Sequence, residues 1–289
     1  MSRVLSGRSR VLGVIGDPIQ HTLSPAMHNA ALEATHLDYA YVPFRVLPQQ
    51  LKAAIDGMRG LQIAGLNVTV PHKPAVLELV DELAPEARAI GAVNTVANAD
   101  GRLTGHNTDA FGVLESLRRD LGLDRLPACV AVLGAGGAAR AVLYAVLQRP
   151  EVERVIVANR TPERAEALAQ TLDKRDAVTV TSLAAAPAAL HQAELLINTT
   201  SVGMPPQAGL SPLPDSSGLH DRMAVLDTVY SPAVTVLMRQ ARAAGARTVN
   251  GLGMLAYQGA RSFHIWTGVW PPVQVMRLAI TAQLRAAPV

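Results

Sequence analysis

The 289-residue chain carries 26 Lys and Arg against 23 Asp and Glu, a net charge of +3 with no basic run, which gives no footing to a nucleic-acid partner. Apolar residues make up 49%, too many for a disordered chain and enough for one or two folded domains. A lone cysteine, Cys129, rules out an internal disulfide, and no Cys/His cluster has zinc-ligand spacing, so no metal is expected.

The first apolar run, 11–15, is too short for a signal peptide and reads as a strand; other uncharged stretches are interrupted by Pro, Ser, Thr or Gly. A cytoplasmic protein with no membrane partner is expected. Ser24-Pro25 offers an N-cap and a first-turn proline for a helix to about residue 37. A strand over 39–46, a helix over 48–58, a strand over 63–70 that Pro71 breaks and a helix over 74–80 follow. Strands at 92–97 and 102–105 flank Asn98-Ala99-Asp100-Gly101, an Asp-Gly hairpin signal.

After a helix over 109–121 a second series begins, with strands at 129–133, 155–158, 178–181, 195–198 and 224–226. Helical stretches lie at 138–148, 162–172 and 233–244, a short Ala-rich helix at 184–189, and two helices after residue 255. Strand and helix alternating this way predict an α/β fold of two domains with parallel sheets and right-handed crossovers.

Gly134-Ala135-Gly136-Gly137-Ala138-Ala139-Arg140 directly follows a predicted strand and opens a predicted helix. That is the context of a G-x-G-x-x-A dinucleotide loop, where glycines make the turn and let backbone approach a pyrophosphate at a helix N-terminus. A tight turn with packing glycines is the plainer account. At the tip of the next strand an NAD site wants a carboxylate, whereas this chain has Asn159-Arg160-Thr161-Pro162-Glu163-Arg164. Two guanidiniums flanking a hydroxyl suit a 2′-phosphate and favour NADP, and Thr161 also serves as a helix N-cap.

Lys73 stands just past a predicted buried strand, in a chain that otherwise uses 23 Arg and only two more Lys, Lys52 and Lys174. Lys exchanges a proton within the working pH range and Arg does not, so Lys73 is a candidate acid/base. Asp109, at the start of a predicted helix, is its candidate partner; a residue favoured by the helix dipole is the simpler reading. Asn67 and Asn94 add polar groups at strand ends, and Thr22 and Ser24 near a helix start could cradle a carboxylate.

These residues fall in segments that carry a resemblance: 16–19, 21–25, 67–73, 91–95, 105–109, 134–140, 159–164, 198–204, 227–230 and 250–258, nearly end to end. The chain resembles shikimate dehydrogenases. The resemblance implies a substrate domain over 1–108, completed by the C-terminal helices 251–289, and a Rossmann-like, doubly wound NADP domain over 109–250. It implies reversible NADPH-dependent reduction of 3-dehydroshikimate to shikimate in chorismate biosynthesis, with Lys73 transferring the proton and Asp109 as its partner. By the same likeness Thr22 and Ser24 bind the substrate carboxylate, while Asn67, Thr69, Asn94, Tyr230 and Gln258 contact the ring hydroxyls. Gly134, Ala135, Gly136, Gly137, Ala138, Asn159, Arg160, Thr161, Arg164 and Thr199 hold the cofactor, with Thr228, Gly251 and Met254 on its nicotinamide side. The family's usual Ser-x-Ser is here Thr22-x-Ser24, whose extra methyl keeps quinate open as the substrate. An aminoshikimate dehydrogenase and a non-catalytic NADP-dependent sensor are the other readings, and a monomer or homodimer is expected.

Overall fold

In the computed structural model, which describes residues 5–286, residues up to Gly112 and from Ala256 onward form one unit and Val113–Leu255 another. The first unit contains β1 (Arg10–Gly16), α1 (Ser24–Ala34), β2 (Tyr39–Arg45), α2 (Leu51–Gly60), β3 (Gly65–Val68), β4 (Glu82–Leu83), α3 (Pro85–Ile90), β5 (Thr95–Ala99) and β6 (Arg102–His106). Its sheet runs in the order β2-β1-β3-β5-β6-β4. The β1–β2 and β1–β3 pairs are parallel, but β5 is antiparallel to both β3 and β6. The sheet is therefore mixed and not parallel throughout: β5 runs antiparallel to β3, and the 100–101 turn, as the Asp-Gly signal predicts, folds β6 back on β5. Ala99 pairs with Arg102, and Asp100 and Gly101 both take positive φ, the conformation of a two-residue hairpin turn.

Alternation along the strands sorts the two faces of this sheet. Leu66, Val68 and Val96 point to the side where α2 buries Leu51, Ile55 and Met58 at helical spacing. Gly65, Asn67 and Thr95 point to the other. There a Cβ on Gly65 would lie 2.2 Å from the Trp266 indole nitrogen, which donates to the Val96 carbonyl at 2.9 Å. The same side holds His28 of α1, stacked on Tyr41 with ring centroids 4.3 Å apart.

The remaining elements are α4 (Asp109–Leu121), β7 (Cys129–Leu133), α5 (Gly137–Leu147), β8 (Arg154–Asn159), α6 (Pro162–Ala169), β9 (Val178–Ser182), α7 (Ala186–Leu190), β10 (Leu195–Asn198), β11 (Ala224–Asp227), α8 (Val236–Ala243), β12 (Arg247–Asn250), α9 (Leu252–Thr267) and α10 (Val273–Ala286). The second unit's sheet, β12-β11-β10-β7-β8-β9, is parallel throughout. In chain order its strands lie 3-2-1-4-5-6, the doubly wound arrangement, which reverses direction between β7 and β10. Its central strands β7, β10 and β11 are buried on both faces, as strands covered by crossover helices must be. Cys129 is a free thiol packed against this core.

Three local expectations change, and three elements are not foreseen. Leu23, not Ser24, occupies the N-cap of α1; Ser24 is the first helical residue and makes no capping bond. The 74–80 helix reduces to a 3-10 turn at Ala75–Glu78. The strand expected at 92–97 begins only at Thr95, because the Val93 N–H goes to the Lys73 carbonyl and leaves the sheet ladder. Short β4 and α3, and the outer strand β12, carry no periodic signal long enough to read in advance. Among the described residues no helix is long and apolar enough to cross a membrane.

His28 is fully buried, and neither ring nitrogen has a hydrogen-bond partner among the described residues. Burial pushes its pKa from the ordinary 6.5 down to about 3, the nearby Asn67 side chain opposing. The unfolded imidazole takes up a proton below about 6.5 while the native one does not, so this contribution is intact above that pH and is lost on acidification toward 3. Its slope is at most about 1.4 kcal/mol per pH unit. Urea midpoints at neutral and mildly acidic pH should show a shallower acid dependence in His28→Phe than in wild type; equal slopes would remove His28 as the cause.

Candidate active site

Lys73 lies in the loop after β3, its backbone held by the Val93 N–H. Asp109 opens α4, and the Asn107 side chain accepts its N–H at 3.0 Å. Their charged ends meet at 2.6 Å, Lys73 Nζ donating to Asp109 Oδ2, with side chains only 21% and 10% exposed. The helix-start role allowed for Asp109 is real, yet the carboxylate is turned to the lysine.

The other carboxylate oxygen, Oδ1, accepts from Asn94 Nδ2 at 2.8 Å. The orientation of that amide follows from backbone chemistry. The Thr108 N–H can only donate, and it reaches Asn94 Oδ1 at 2.8 Å, so the amide NH2 must face the opposite way, toward Asp109. Donors thus stand at both carboxylate oxygens, the pattern a carboxylate accepts. Asn94 lies just outside β5, where its side chain can reach α4.

A buried polar network extends from this pair on the face opposite α2. Asn94 Nδ2 also reaches Thr108 Oγ1 at 2.9 Å and Gln258 Oε1 at 3.4 Å. Asn67 Nδ2 approaches Thr95 Oγ1 and Ser262 Oγ at 3.2 and 3.1 Å, while Tyr41 donates to Asn67 Oδ1 at 2.7 Å. Burial raises the Tyr41 phenol well above its usual range, and a hydrogen bond with Ser24 opposes the rise. The structure therefore brings Lys73, Asp109, Asn94, Gln258 and Asn67 into one network and adds Ser24 through Tyr41. Thr22 accepts the Ser24 N–H at 3.3 Å, so the two hydroxyl residues share one turn. Thr69 is not brought into the network among the described residues: its N–H goes to the Ile15 carbonyl, its carbonyl accepts from His72, and its methyl packs against Gly16.

Thr95, Thr108, Ser262 and Tyr41 are network members that the sequence did not single out. Thr95 and Thr108 sit beside residues that were, and Ser262 lies one helical turn beyond Gln258. A polar i, i+4 pair on an otherwise buried helix face is the signal that would have marked it.

The second unit holds the remaining candidates. Gly134 ends β7 at φ +103°, and a Cβ there would lie 2.7 Å from Thr199 Oγ1, which itself donates to the Leu133 carbonyl at 2.6 Å. This glycine is demanded by the fold. Nothing lies within 4 Å of a Cβ built on Gly136 or Gly137, so packing inside the chain does not explain them. They leave the N-terminus of α5 accessible to close approach, Ala135 and Ala138 half-exposed beside them and Ala139 fully buried beneath. This loop stands at the reversal between β7 and β10, where ligands of doubly wound sheets bind.

At the tip of β8, Asn159 Nδ2 donates to the Thr161 carbonyl at 2.8 Å and curls the loop. Thr161 holds the N-cap position of α6, but its hydroxyl makes no capping bond. Arg160 and Arg164 are exposed. Farther along, Gly251 presses on Thr228, where a Cβ would lie 2.0 Å from the Thr228 carbonyl oxygen. Met254 is buried, and Tyr230 is half-buried with its phenol raised by desolvation. Among the described residues no group of His, Cys, Asp or Glu could hold a metal ion.

Residues 14–96 match the profile of the shikimate dehydrogenase substrate binding domain, 121–205 that of shikimate / quinate 5-dehydrogenase, and 251–280 that of the shikimate 5'-dehydrogenase C-terminal domain. The chain is 48% identical over 287 residues to the shikimate dehydrogenase (NADP(+)) of Geobacter sp. (strain M21), covering 97% of each. A crystal structure of shikimate dehydrogenase in complex with NADP+ superposes with a TM-score of 0.91 at 41% identity, over 97% of this chain and 98% of that one. The Thermus thermophilus shikimate 5-dehydrogenase in complex with NADP(H) and shikimate gives 0.85 at 40% identity, over 94% and 99%.

The two kinds of glycine in the β7–α5 loop are separable by stability. Gly134→Ala meets both a positive φ and Thr199, and should lose about 1–3 kcal/mol in urea unfolding. Gly136→Ala meets no neighbour but puts a poorer cap at the start of α5, and should lose less than about 1 kcal/mol. Equal losses would mean that both glycines serve the fold.

Proposed function

The chain belongs to the shikimate dehydrogenase family, and we propose that it catalyses the reversible NADPH-dependent reduction of 3-dehydroshikimate to shikimate. The observation that carries this reading is the shielded Lys73–Asp109 pair, with Asn94 donating to the second carboxylate oxygen. Bound NADP supplies or takes up the hydride exchanged with the C3 carbon. In the reductive direction Lys73 gives a proton to the C3 oxygen, so that carbonyl becomes hydroxyl; in the oxidative direction it takes that proton back. Asp109 holds the ammonium group in place and accepts from a substrate hydroxyl. A positioned acid/base of this kind contributes about 10²- to 10⁴-fold.

Thr22 and Ser24 would take the substrate carboxylate through their hydroxyls, since they share one turn at the start of α1. Asn67, Thr69, Asn94 and Gln258 are proposed as ring-hydroxyl contacts, and Tyr230 as a further substrate-binding residue. For the cofactor, the residues present fit: the unhindered backbone at Gly136 and Gly137 suits a pyrophosphate at the α5 N-terminus. Arg160 and Arg164, with Thr161 between them, would hold a 2′-phosphate. Gly134, Ala135, Ala138, Asn159 and Thr199 would shape these two loops, and Thr228, Gly251 and Met254 the nicotinamide side. We assign residues 1–108 with 251–289 to the substrate and 109–250 to NADP.

Steady-state kinetics with shikimate and quinate, each against NADP and NAD, test the reading as a whole. Shikimate with NADP should give a kcat/KM at least about tenfold above the other three combinations, a difference of about 1.4 kcal/mol in transition-state binding. A preference for quinate or for NAD would overturn the assignment of that partner. In Lys73→Ala, kcat should fall about 10²- to 10⁴-fold while calorimetric NADP affinity is retained; near-normal turnover would sink the role of Lys73.

A further inference from the structure

Ser262, on α9, is fully buried, and its hydroxyl meets three side chains that arrive from separate parts of the chain. Asn67 Nδ2 on β3 lies at 3.1 Å, Thr95 Oγ1 on β5 at 2.8 Å, and Thr108 Oγ1 ahead of α4 at 3.1 Å. Hydrogen-bond polarity limits how this junction can be wired. The amide nitrogen of Asn67 only donates, so Ser262 accepts from it, and the serine's own proton goes to the Gln258 carbonyl at 3.1 Å or to a neighbouring hydroxyl. Thr95 donates to Asn94 Oδ1 at 2.9 Å, and Thr108 stands within 2.9 Å of Asn94 Nδ2. Thr95 thus engages the Asn94 amide at its oxygen and Thr108 at its nitrogen, and Ser262 touches both threonines.

We propose that Ser262 is a positioning residue for the reduction: its hydroxyl holds Thr95 and Thr108 where they clamp Asn94, and through Asn94 it holds Asp109 opposite Lys73. Among the described residues none of its hydrogen bonds reaches Lys73 or Asp109, so its influence passes through the amide. A serine whose hydroxyl merely bonds the preceding helical turn would contribute to folding alone. The proposal differs from that account in coupling Ser262 to Thr95, which lies on a strand. It rests on reading the Lys73–Asp109 pair as the proton-transferring site.

A double-mutant cycle on turnover separates the accounts. Ser262→Ala, Thr95→Val and the double variant are compared with wild type for kcat, KM for NADP and thermal midpoint. Each single variant should lose about tenfold in kcat with KM for NADP changed less than about twofold, and the double variant should lose little more than either single one. Losses that multiply to about a hundredfold in the double variant, or a kcat within about twofold of wild type in either single one, overturn the proposal. Thr95→Val conserves side-chain shape, and Ser262→Cys replaces Ser262→Ala in the cycle should the alanine variant fail to fold. Wild-type turnover of shikimate with NADP is measured first. Its absence overturns the reading of the site itself, whereas full wild-type turnover with undiminished variants overturns only the assignment of Ser262.

Discussion

The bond from the Thr108 N–H to Asn94 Oδ1 decides the polarity of everything around Lys73. A side-chain amide can be turned either way at little cost in shape, but a backbone N–H cannot exchange its role. Once Oδ1 is committed, Nδ2 faces Asp109, and the remaining carboxylate oxygen is left to Lys73 at 2.6 Å. Were the amide reversed, two acceptors would face each other in a buried setting, at a cost of about 1–3 kcal/mol. The hydroxyls of Thr95, Thr108 and Ser262 adapt to this fixed donor because each can both give and accept. The network is thus anchored by the main chain and filled in by the groups best able to comply.

A comparable division of labour governs the second unit. Gly134 and Gly251 are glycines because neighbouring backbone or side-chain atoms occupy the space of a Cβ, so they serve the close approach of β7 to Thr199 and of the 251 turn to Thr228. Gly136 and Gly137 have open surroundings, so no close packing within the chain requires them. Beneath these loops Asn198 and Asp227, paired in register at the ends of β10 and β11, tie the two strand ends together at 2.8 Å. Desolvation raises the Asp227 pKa, and the Thr235 hydroxyl, the Val229 N–H and Asn198 oppose it. Three donors converging on one carboxylate hold the chain that leads to Thr228 and Tyr230 in a single path.

How far the sequence could be read depended on how far apart the interacting residues are. The β7–α5 loop is contiguous, so its glycines, the strand before it and the helix after it were legible from local chemistry. The Asp100-Gly101 turn was legible for the same reason, although the flanking strands were displaced because pairing, and not propensity, sets their ends. Ser24 was misplaced by one position, since a serine before proline is a good cap only if the residue ahead of it stays extended, and Leu23 is helical instead. The network around Asn94 draws on residues 41, 67, 95, 108, 258 and 262, and no window of sequence contains more than two or three of them. Gln258 was reached through family likeness alone, whereas Lys73 stood out locally, as a lysine just past a strand in a chain that otherwise favours Arg. Ser262 and Thr95, ordinary polar residues in local context, acquire meaning only when the mixed sheet lays β3 beside β5 and α9 across that face.

The scarcity of lysine bears on the same point. A chain with 23 Arg among 26 cationic residues has every opportunity to place Arg at position 73, where a guanidinium would pair with Asp109 through a bidentate fork. Such a pair would be geometrically stronger, but an Arg keeps its protons throughout the working range, and its fork would occupy both carboxylate oxygens and displace Asn94. A lysine takes one oxygen, leaves the other to Asn94, and carries a proton it can release. Both halves of the arrangement, the amide polarity set by Thr108 and the single-point ammonium contact, therefore call for Lys at this position.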